Sequence, residues 1–285
     1  MGVLFLGMIE FFAPRVIDPA VLLLAGGGHS GYGWREVRRE LGLDDPWYVR
    51  ALSLWRSVNL NNKSLRYHVP IRKLISSRLS PTLSILAIST AFSLTFGLLL
   101  GVIAYRFRLI GTMILFLNRL MLTVPVFVLA SVMAACLAGF LEARNNIYYG
   151  SLLLGLYASL WFSAVIRSSI KQEMAAQHHA SMRALGYRQR DITLSVFLGV
   201  LHHLLGALDL FLSVLLTGGT VVVEYAFHIE GLGLLLLDAV HYMDLPVIRF
   251  MFVVALVLYT TFAIGILMLR YLLDPRMRLE FQRML

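Results

Sequence analysis

Residues 80–105 read SPTLSILAISTAFSLTFGLLLGVIAY, a run of 26 residues without a single Asp, Glu, Lys or Arg. An α-helix rises about 1.5 Å per residue and the hydrocarbon core of a bilayer is about 30 Å thick, so about 20 apolar residues are enough to cross it. Pro81 falls in the first turn of this segment, where a missing backbone N–H costs little. The run therefore predicts a membrane-spanning helix.

Three further charge-free windows follow, at residues 120–141, 145–166 and 250–269. Of the 285 residues, 59% are hydrophobic and only 14% are charged, whereas soluble domains carry about 25% charged residues. The mean hydropathy of +0.76 points the same way. Four windows of this length in one chain exclude a soluble enzyme and predict an all-α polytopic membrane protein.

The apolar pattern predicts about six membrane-spanning helices. Five clear spans are expected at residues 80–105, 112–140, 147–166, 193–217 and 248–272. The first thirteen residues would reach only about 20 Å as a helix, so we expect a short first helix there. The chain then divides into a short first helix with its exit at 1–25, an extracytoplasmic amphipathic segment with short helices at 26–78, and a transmembrane core at 79–285.

The distribution of charge predicts how these helices are oriented. Basic residues outnumber acidic ones at 106–108, 167–191 and 270–285, and cytoplasmic loops carry such an excess. Residues 224–244 hold four acids and no Lys or Arg, so we expect them outside. Residues 15–78 are also expected outside despite eleven basic residues against five acidic ones, because a segment of about 60 residues is long enough for the rule to lose force.

One cytoplasmic segment, expected as a helix at about 170–190, has the features of a docking element. Ala176, Ala180 and Ala184 are spaced i, i+4, i+8 and would form one stripe of small side chains. Gly186 follows, where a helix commonly ends with a left-handed residue. A helix, a glycine and a polar turn between two spans suit a groove on a cytoplasmic partner. The alternative is an ordinary amphipathic loop on the lipid surface.

Short motifs over almost the whole chain occur in a characteristic order: DPA at 18–20, LGLD at 41–44, PTL at 81–83, ASMRALG at 180–186, GG at 218–219 and DPR at 274–276. In these motifs the chain resembles the membrane-spanning (permease) subunit of bacterial ABC importers of the oligopeptide/dipeptide/nickel permease family, first permease type. The family has a Glu-Ala-Ala coupling triplet where this chain has Ala180, Ser181 and Met182. It also has a proline where this chain has Glu230.

The resemblance implies roles for individual residues. Five would couple the subunit to an ATPase: Ala180, Arg183, Ala184, Gly186 and Arg188. Three would belong to the outer gate: Glu224, Gly231 and Gly233. Two are assigned to the translocation path: Pro125 and Asp209.

Asp209 is the only acid deep in an apolar span, where burying a charge is expensive. It could line the path, or it could equally pair with Arg119 or with a residue of a partner permease. A membrane-embedded enzyme would need a convergent catalytic set, and apart from Asp209, His202 and His203 the spans offer almost no such groups.

The implied function is that of a permease subunit that moves peptides, or a small nickel-type metal chelate, across the cytoplasmic (inner) membrane of a bacterium by alternating access. The implied partners are a second homologous permease subunit, two ATPase subunits, an extracytoplasmic substrate-binding protein and the lipid bilayer. No nucleic acid is expected, since membrane orientation explains the net charge of +9. The alternative is a self-contained channel or secondary transporter without an ATPase.

We expect no enzymatic activity, cofactor or metal site in this chain. The phosphate-binding pattern Gly-x4-Gly-Lys-Ser/Thr is absent, so ATP and Mg²⁺ would be bound by the partner ATPases. The GGGHSG stretch at 26–31 lacks the strand–helix–strand unit of a dinucleotide site. Cys136 is the only cysteine, which excludes an internal disulfide. Residues 178 and 179 are both histidines, and so are residues 202 and 203. Adjacent side chains diverge on a helix, so we expect neither pair to chelate a metal ion.

Overall fold

The computed structural model describes Asp44, Pro46, Val49 and residues 63–138 and 147–273. The predicted first helix, most of the segment 26–78 and the motif at 274–276 lie outside the described residues. The two long ranges form nine α-helices: α1 (Ile71–Arg106), α2 (Arg108–Thr123), α3 (Val126–Ala138), α4 (Ile147–Ala175), α5 (Gln177–Ala184), α6 (Gln189–Val214), α7 (Thr220–Phe227), α8 (Leu232–His241) and α9 (Leu245–Leu273). A π-helical turn joins α6 to α7, and these two ranges contain no strand.

Four of the helices, α1, α4, α6 and α9, are long and apolar enough to cross a membrane. The number of candidate spans rises to six if each of two bent pairs, α2 with α3 and α7 with α8, is one span. The predicted class, an all-α polytopic membrane protein, is confirmed. In α4 half of the apolar window is buried inside the protein, whereas in α9 only 6% is buried. Most of the apolar surface of α9 is thus left for lipid or another subunit.

The prediction of a single helical span at 112–140 is wrong. The chain forms α2 and α3 there, and the two helices are bent by 91° relative to each other. Val124, at the break, is extended with φ −96° and ψ 117°, because a following proline disfavours the helical conformation. Pro125 also lacks the N–H that would continue the helical hydrogen bonds. The proline therefore ends one helix and starts another.

Gly218 and Gly219 do not end the helical path that leaves α6. Both glycines lie in the π-helical turn Leu215–Gly219, and Gly219 has ordinary right-handed angles of φ −61° and ψ −46°. The backbone N–H and the hydroxyl of Thr220 both donate to the carbonyl of Leu215, which is the i→i+5 bonding of a π-helix. A Cβ on Gly219 would lie 2.8 Å from Cδ2 of Leu215, so this glycine provides space inside the turn.

The helices are grouped into two compact units. The smaller unit comprises residues 1–82 and 230–258, and the larger unit comprises residues 83–229 and 259–285. The divisions fall within α1 and α9, so each of these long helices contributes residues to both units.

In the larger unit α1 approaches α4 closely along one strip of small residues. Ser89, Ser93, Gly97 and Gly101 recur at every fourth position of α1 and form one strip of small residues. A Cβ on Gly97 would lie 2.6 Å from the Cβ of Phe162 in α4. In membranes, where lipid is as apolar as the side chains, small residues allow helices to associate through close backbone contact.

Phe162 occupies the centre of the core in the larger unit. Its side chain is completely buried, and its ring meets that of Phe211 in α6 edge to face, with centroids 5.3 Å apart. Such aromatic pairs contribute about 0.5–1.5 kcal/mol beyond their buried area. The α1–α4 and α4–α6 contacts together make α4 the central helix of this unit.

The smaller unit is organised around the buried carboxylate of Asp244, which is 1% exposed. Its Oδ2 accepts hydrogen bonds from the hydroxyl of Ser64 at 2.5 Å and from the backbone N–H of Arg66 at 3.2 Å. Its Oδ1 accepts from the backbone N–H of Val247 at 3.4 Å, which caps the start of α9. One side chain thus fixes the segment before α1 to the first turn of α9.

Two further contacts secure the same segment of the smaller unit. The hydroxyl of Tyr67 donates to Asp238 at 3.1 Å, and burial together with the charge of Asp238 raises the pKa of Tyr67. The guanidinium of Arg66 lies over the ring of Tyr242, 3.9 Å from its centroid, in a cation–π contact. The segment before α1 is therefore held by polar contacts between residues distant in sequence.

Gly101→Val is expected to lower the stability of the detergent-solubilised chain by about 1–3 kcal/mol, the usual cost of overpacking. A Cβ there would lie 2.8 Å from the Cβ of Ile166. The matched control is Gly265→Val, because a Cβ on Gly265 would meet nothing within 4 Å. Denaturation followed by circular dichroism measures both, and equal stabilities would contradict close packing of α1 on α4.

Asp244→Ala is expected to destabilise the chain by about 1–3 kcal/mol, because it leaves buried donors unpaired. The contrasting control is Glu230→Gln. Glu230 is 77% exposed and lies 3.6 Å from Arg78, and an exposed ion pair contributes roughly 0–1 kcal/mol. Thermal unfolding measures both variants, and an Asp244→Ala protein as stable as Glu230→Gln would show that Asp244 does not organise the unit.

Candidate functional site

The segment between α4 and α6 has the predicted helix–glycine–turn form. α5 ends at Ala184, and Gly186 follows with φ +77°. The N–H of Gly186 donates to the carbonyl of Arg183, and the N–H of Tyr187 donates to that of Met182, both at 3.1 Å. These two bonds form a Schellman motif, whose left-handed position glycine adopts without strain.

The predicted boundaries of this helix, about 170–190, are wrong. α4 continues to Ala175, and Ala176 is extended with φ −64° and ψ 136° before α5 begins. The predicted stripe therefore keeps only Ala180 and Ala184 on one helix. Neither Gly nor Pro marks this break in the sequence, so composition alone did not indicate it.

The five predicted coupling residues all lie at the surface: Ala180, Arg183, Ala184, Gly186 and Arg188. The structure adds two apolar side chains that the sequence analysis did not single out. Leu185 is 75% exposed and Tyr187 is 54% exposed, on either side of Gly186. An apolar tip surrounded by arginines is the composition of an interface core with a polar rim.

α5 is fastened to the helices on both sides of it. Arg183 donates to the carbonyl of His179 at 3.2 Å and to that of Met174 in α4 at 3.3 Å. His179 is completely buried, and its ring nitrogens contact the carbonyl of Glu173 in α4 at 2.7 Å and the hydroxyl of Ser195 in α6 at 3.1 Å. A force on α5 is therefore passed to both α4 and α6.

The two residues assigned to the translocation path both belong to the larger unit, Pro125 in the break between α2 and α3 and Asp209 within α6. Asp209 in α6 is half-buried, and its carboxylate makes neither an ion pair nor a hydrogen bond with any described residue. The predicted alternative of a pair with Arg119, which is exposed, is therefore wrong. An apolar cavity of about 310 Å³ is lined by the sequence neighbours of both path residues, including Leu122 and Val126 beside Pro125 and Leu210 beside Asp209.

The three residues assigned to the outer gate differ in their environments. Glu224 in α7 is completely buried, in the larger unit. Gly231 and Gly233 belong to the smaller unit, where Gly231 is the extended residue before α8 and Gly233 is buried in its first turn. The chain between α7 and α8 turns at His228, which has a φ of 54°.

Residues 93–279 match a protein family described as the inner membrane component of binding-protein-dependent transport systems. The match covers well over half of the chain. The chain belongs to this family. It is accordingly an inner membrane protein with several spans, and the resemblance seen in the sequence motifs is confirmed.

Three relatives of this family member match it over most of their length. A protein of Brucella abortus (strain 2308), provisionally named a peptide transport system permease, is 27% identical over 97% of this chain and 95% of its own length. A provisionally named peptide ABC transporter permease of Sinorhizobium fredii (strain NBRC 101917 / NGR234) is 26% identical over 92% and 90%. The glutathione transport system permease GsiC of Shigella boydii serotype 4 is 27% identical over 81% and 79%.

In this permease family member, Gly186→Val is expected to open the turn after α5, since a left-handed residue with a Cβ costs about 1–2 kcal/mol. An energy of about 1–2 kcal/mol raises the population of the opened turn about 5–30-fold. Trypsin cleavage after Arg188 should become faster by the same factor. Gly218→Val is the control, because a Cβ on Gly218 also meets nothing within 4 Å but lies in right-handed helix. Equal cleavage rates in the two variants would contradict a requirement for glycine at 186.

Proposed function

We propose that this chain is the permease subunit of an ABC importer that takes up peptides, driven by separate ATPase subunits that dock on α5. The observation that carries the proposal is the exposed apolar tip at Leu185 and Tyr187, presented by a glycine turn and fastened to α4 and α6. Family membership supports the importer class. The names of the relatives support the substrate class, because two are named for peptides and glutathione is itself a small peptide.

The fastening of α5 supports a mechanism of alternating access. His179 contacts a backbone carbonyl of α4 and a hydroxyl of α6, so closure of two ATPases against α5 would move both helices together. α4 and α6 both contribute to the apolar cavity. Movement of these helices would change the access to that cavity, and Pro125 and Asp209 would lie along the path.

The remaining partners follow from the same proposal. The outward apolar surface of α9 would contact lipid or a second, homologous permease. An extracytoplasmic binding protein would deliver substrate to the outer face. ATP and Mg²⁺ would be bound by the ATPases, and this chain would carry out no covalent chemistry. The relatives named above favour a peptide over the nickel-type chelate as the substrate.

Leu185→Asp tests the docking of an ATPase. The wild type, Leu185→Asp and Val240→Asp are each purified in mild detergent from cells that express the whole transport system, and the accompanying proteins are identified by mass spectrometry. Val240 is an exposed apolar residue on the predicted outer side and is the control. We expect the ATPase with the wild type and the control, and at least about tenfold less with Leu185→Asp, since tenfold corresponds to only about 1.4 kcal/mol.

Each contrary outcome has a distinct meaning. Full recovery of the ATPase with Leu185→Asp would show that the tip of α5 is not the docking surface. The absence of an ATPase from all three samples would favour the self-contained channel or secondary transporter.

A further inference from the structure

We propose that Glu173, His178 and His179 form a binding site for a divalent transition metal ion of the zinc type, at the junction of α4, α5 and α6. Each residue offers one ligand atom, and these atoms lie within 4.8 Å of one another. Tetrahedral zinc with bonds of about 2.0–2.1 Å places its ligand atoms about 3.3 Å apart. Side-chain rotations that move each ligand atom by about an ångström would therefore bring all three atoms to bonding distance of one ion.

The expectation that adjacent histidines diverge is wrong for His178 and His179. Their ring centroids are 3.8 Å apart. Both histidines belong to the first turn of α5, and the extended residue Ala176 lets this turn fold back over the last turn of α4, where Glu173 lies. In the continuous helix His202–His203, by contrast, the centroids are 6.0 Å apart. The helix break therefore creates a convergence that no helical spacing in the sequence predicts.

The carboxylate of Glu173 is buried without a full complement of partners. Its side chain is 11% exposed, and Oε2 has no hydrogen-bond partner among the described residues. Oε2 lies 3.9 Å from Nε2 of His178, and Oε1 lies 3.7 Å from Nε2 of His203. Both distances exceed those of hydrogen bonds. A buried carboxylate is normally paired or bound to a metal.

α6 leaves room for this carboxylate through Gly199. A Cβ on Gly199 would lie 2.2 Å from Cδ of Glu173 and 2.5 Å from both carboxylate oxygens. The backbone of α6 at Gly199 therefore packs directly against the Glu173 carboxylate on one side and fixes its position. On the other side, the His178 side chain is 43% exposed, so an ion can enter from solvent.

His179 has the hydrogen bonding of a metal ligand. Its Nδ1 contacts the backbone carbonyl of Glu173 at 2.7 Å, and a carbonyl only accepts, so Nδ1 carries the proton. Nε2 is then the acceptor for the hydroxyl of Ser195 at 3.1 Å. Metal-bound histidines usually donate their other N–H to a carbonyl or carboxylate in this way. Nε2 can thus bind an ion once the serine hydroxyl turns aside.

The donor set selects the class of metal. Imidazole nitrogens with one carboxylate suit Zn²⁺, Ni²⁺ and Cu²⁺, whereas Ca²⁺ and Mg²⁺ prefer oxygen ligands alone. His203 lies against the second carboxylate oxygen, where its imidazole would orient the acid. A fourth position stays open to water.

An ion at this site would bind the end of α4 to the start of α5. It would thereby restrain the helix that we propose receives force from the ATPase, so transport would slow when the metal is bound. This consequence rests on the proposed function, but the binding site does not.

Direct metal binding tests the site in the complete chain. The protein is purified in detergent with a tag that lacks histidine, stripped with a chelator, and titrated with Zn²⁺ in competition with a chromogenic chelator. We expect one tight equivalent in the wild type. Glu173→Gln and His178→Gln should bind at least about tenfold more weakly, because loss of even an outer partner of a metal site costs about 10–100-fold.

Two further variants make the outcome specific. His241→Gln removes an exposed histidine of α8 and should keep wild-type affinity. Ser195→Ala frees Nε2 of His179 and should raise the affinity. Zn²⁺ should also raise the melting temperature of the wild type but not that of His178→Gln. No tight equivalent in the wild type, or equal affinities of the wild type and His178→Gln, would overturn the proposal, whether or not an ATPase co-purifies.

Discussion

The close approach of α1 to α4 is a contact that only small side chains permit. In water, burial of apolar side chains drives helices together, but lipid tails are as apolar as leucine and remove most of that advantage. What remains is dispersion at short range, and this falls steeply when the gap widens by even 0.5–1 Å or so. Gly97 and Gly101 allow that short range, and α4 then carries Phe162 into contact with α6. α4 and α6 together line the apolar cavity.

A second constraint acts at the carboxyl-terminal end of α4. Where α4 ends, its terminal carbonyls lack intrahelical partners. Arg183 and His179 donate to two of them, those of Met174 and Glu173. The same bonds that satisfy the end of α4 hold α5 in place. The hydrogen bonds that terminate α4 are therefore the same bonds that position α5 and its exposed Leu185.

Much of the fold could be predicted from sequence because its causes are local. A charge in hydrocarbon is costly wherever it occurs, so charge-free windows marked α1, α4 and α9. Gly186 also acts locally, through its own φ. Pro125 also acts locally, but the long apolar window on both sides of it favours a continuous span. For Gly218 and Gly219 the residue type allowed two uses, a helix end or close packing, and only the tertiary structure decides between them.

The rest of the site could not be predicted, because it depends on three helices meeting. No pattern within one helix shows that Glu173 lies against Gly199, or that His178 folds back onto it. The only sequence signal is indirect, namely a glycine in the middle of an apolar helix. Such a residue lowers helix propensity by about 1 kcal/mol relative to alanine and so invites a packing explanation.

The role of Asp244 has a consequence for the biosynthesis of the chain. Its hydrogen bond to Ser64 joins residues 180 positions apart. Ser64 is made early, yet its partner does not exist until most of the chain has been synthesised. The segment before α1 must therefore remain without this contact while the eight helices α1 to α8 are made. This segment can reach its final structure only after synthesis has reached α9. The contact between Ser64 and Asp244 is therefore a late step in assembly and not a folding nucleus.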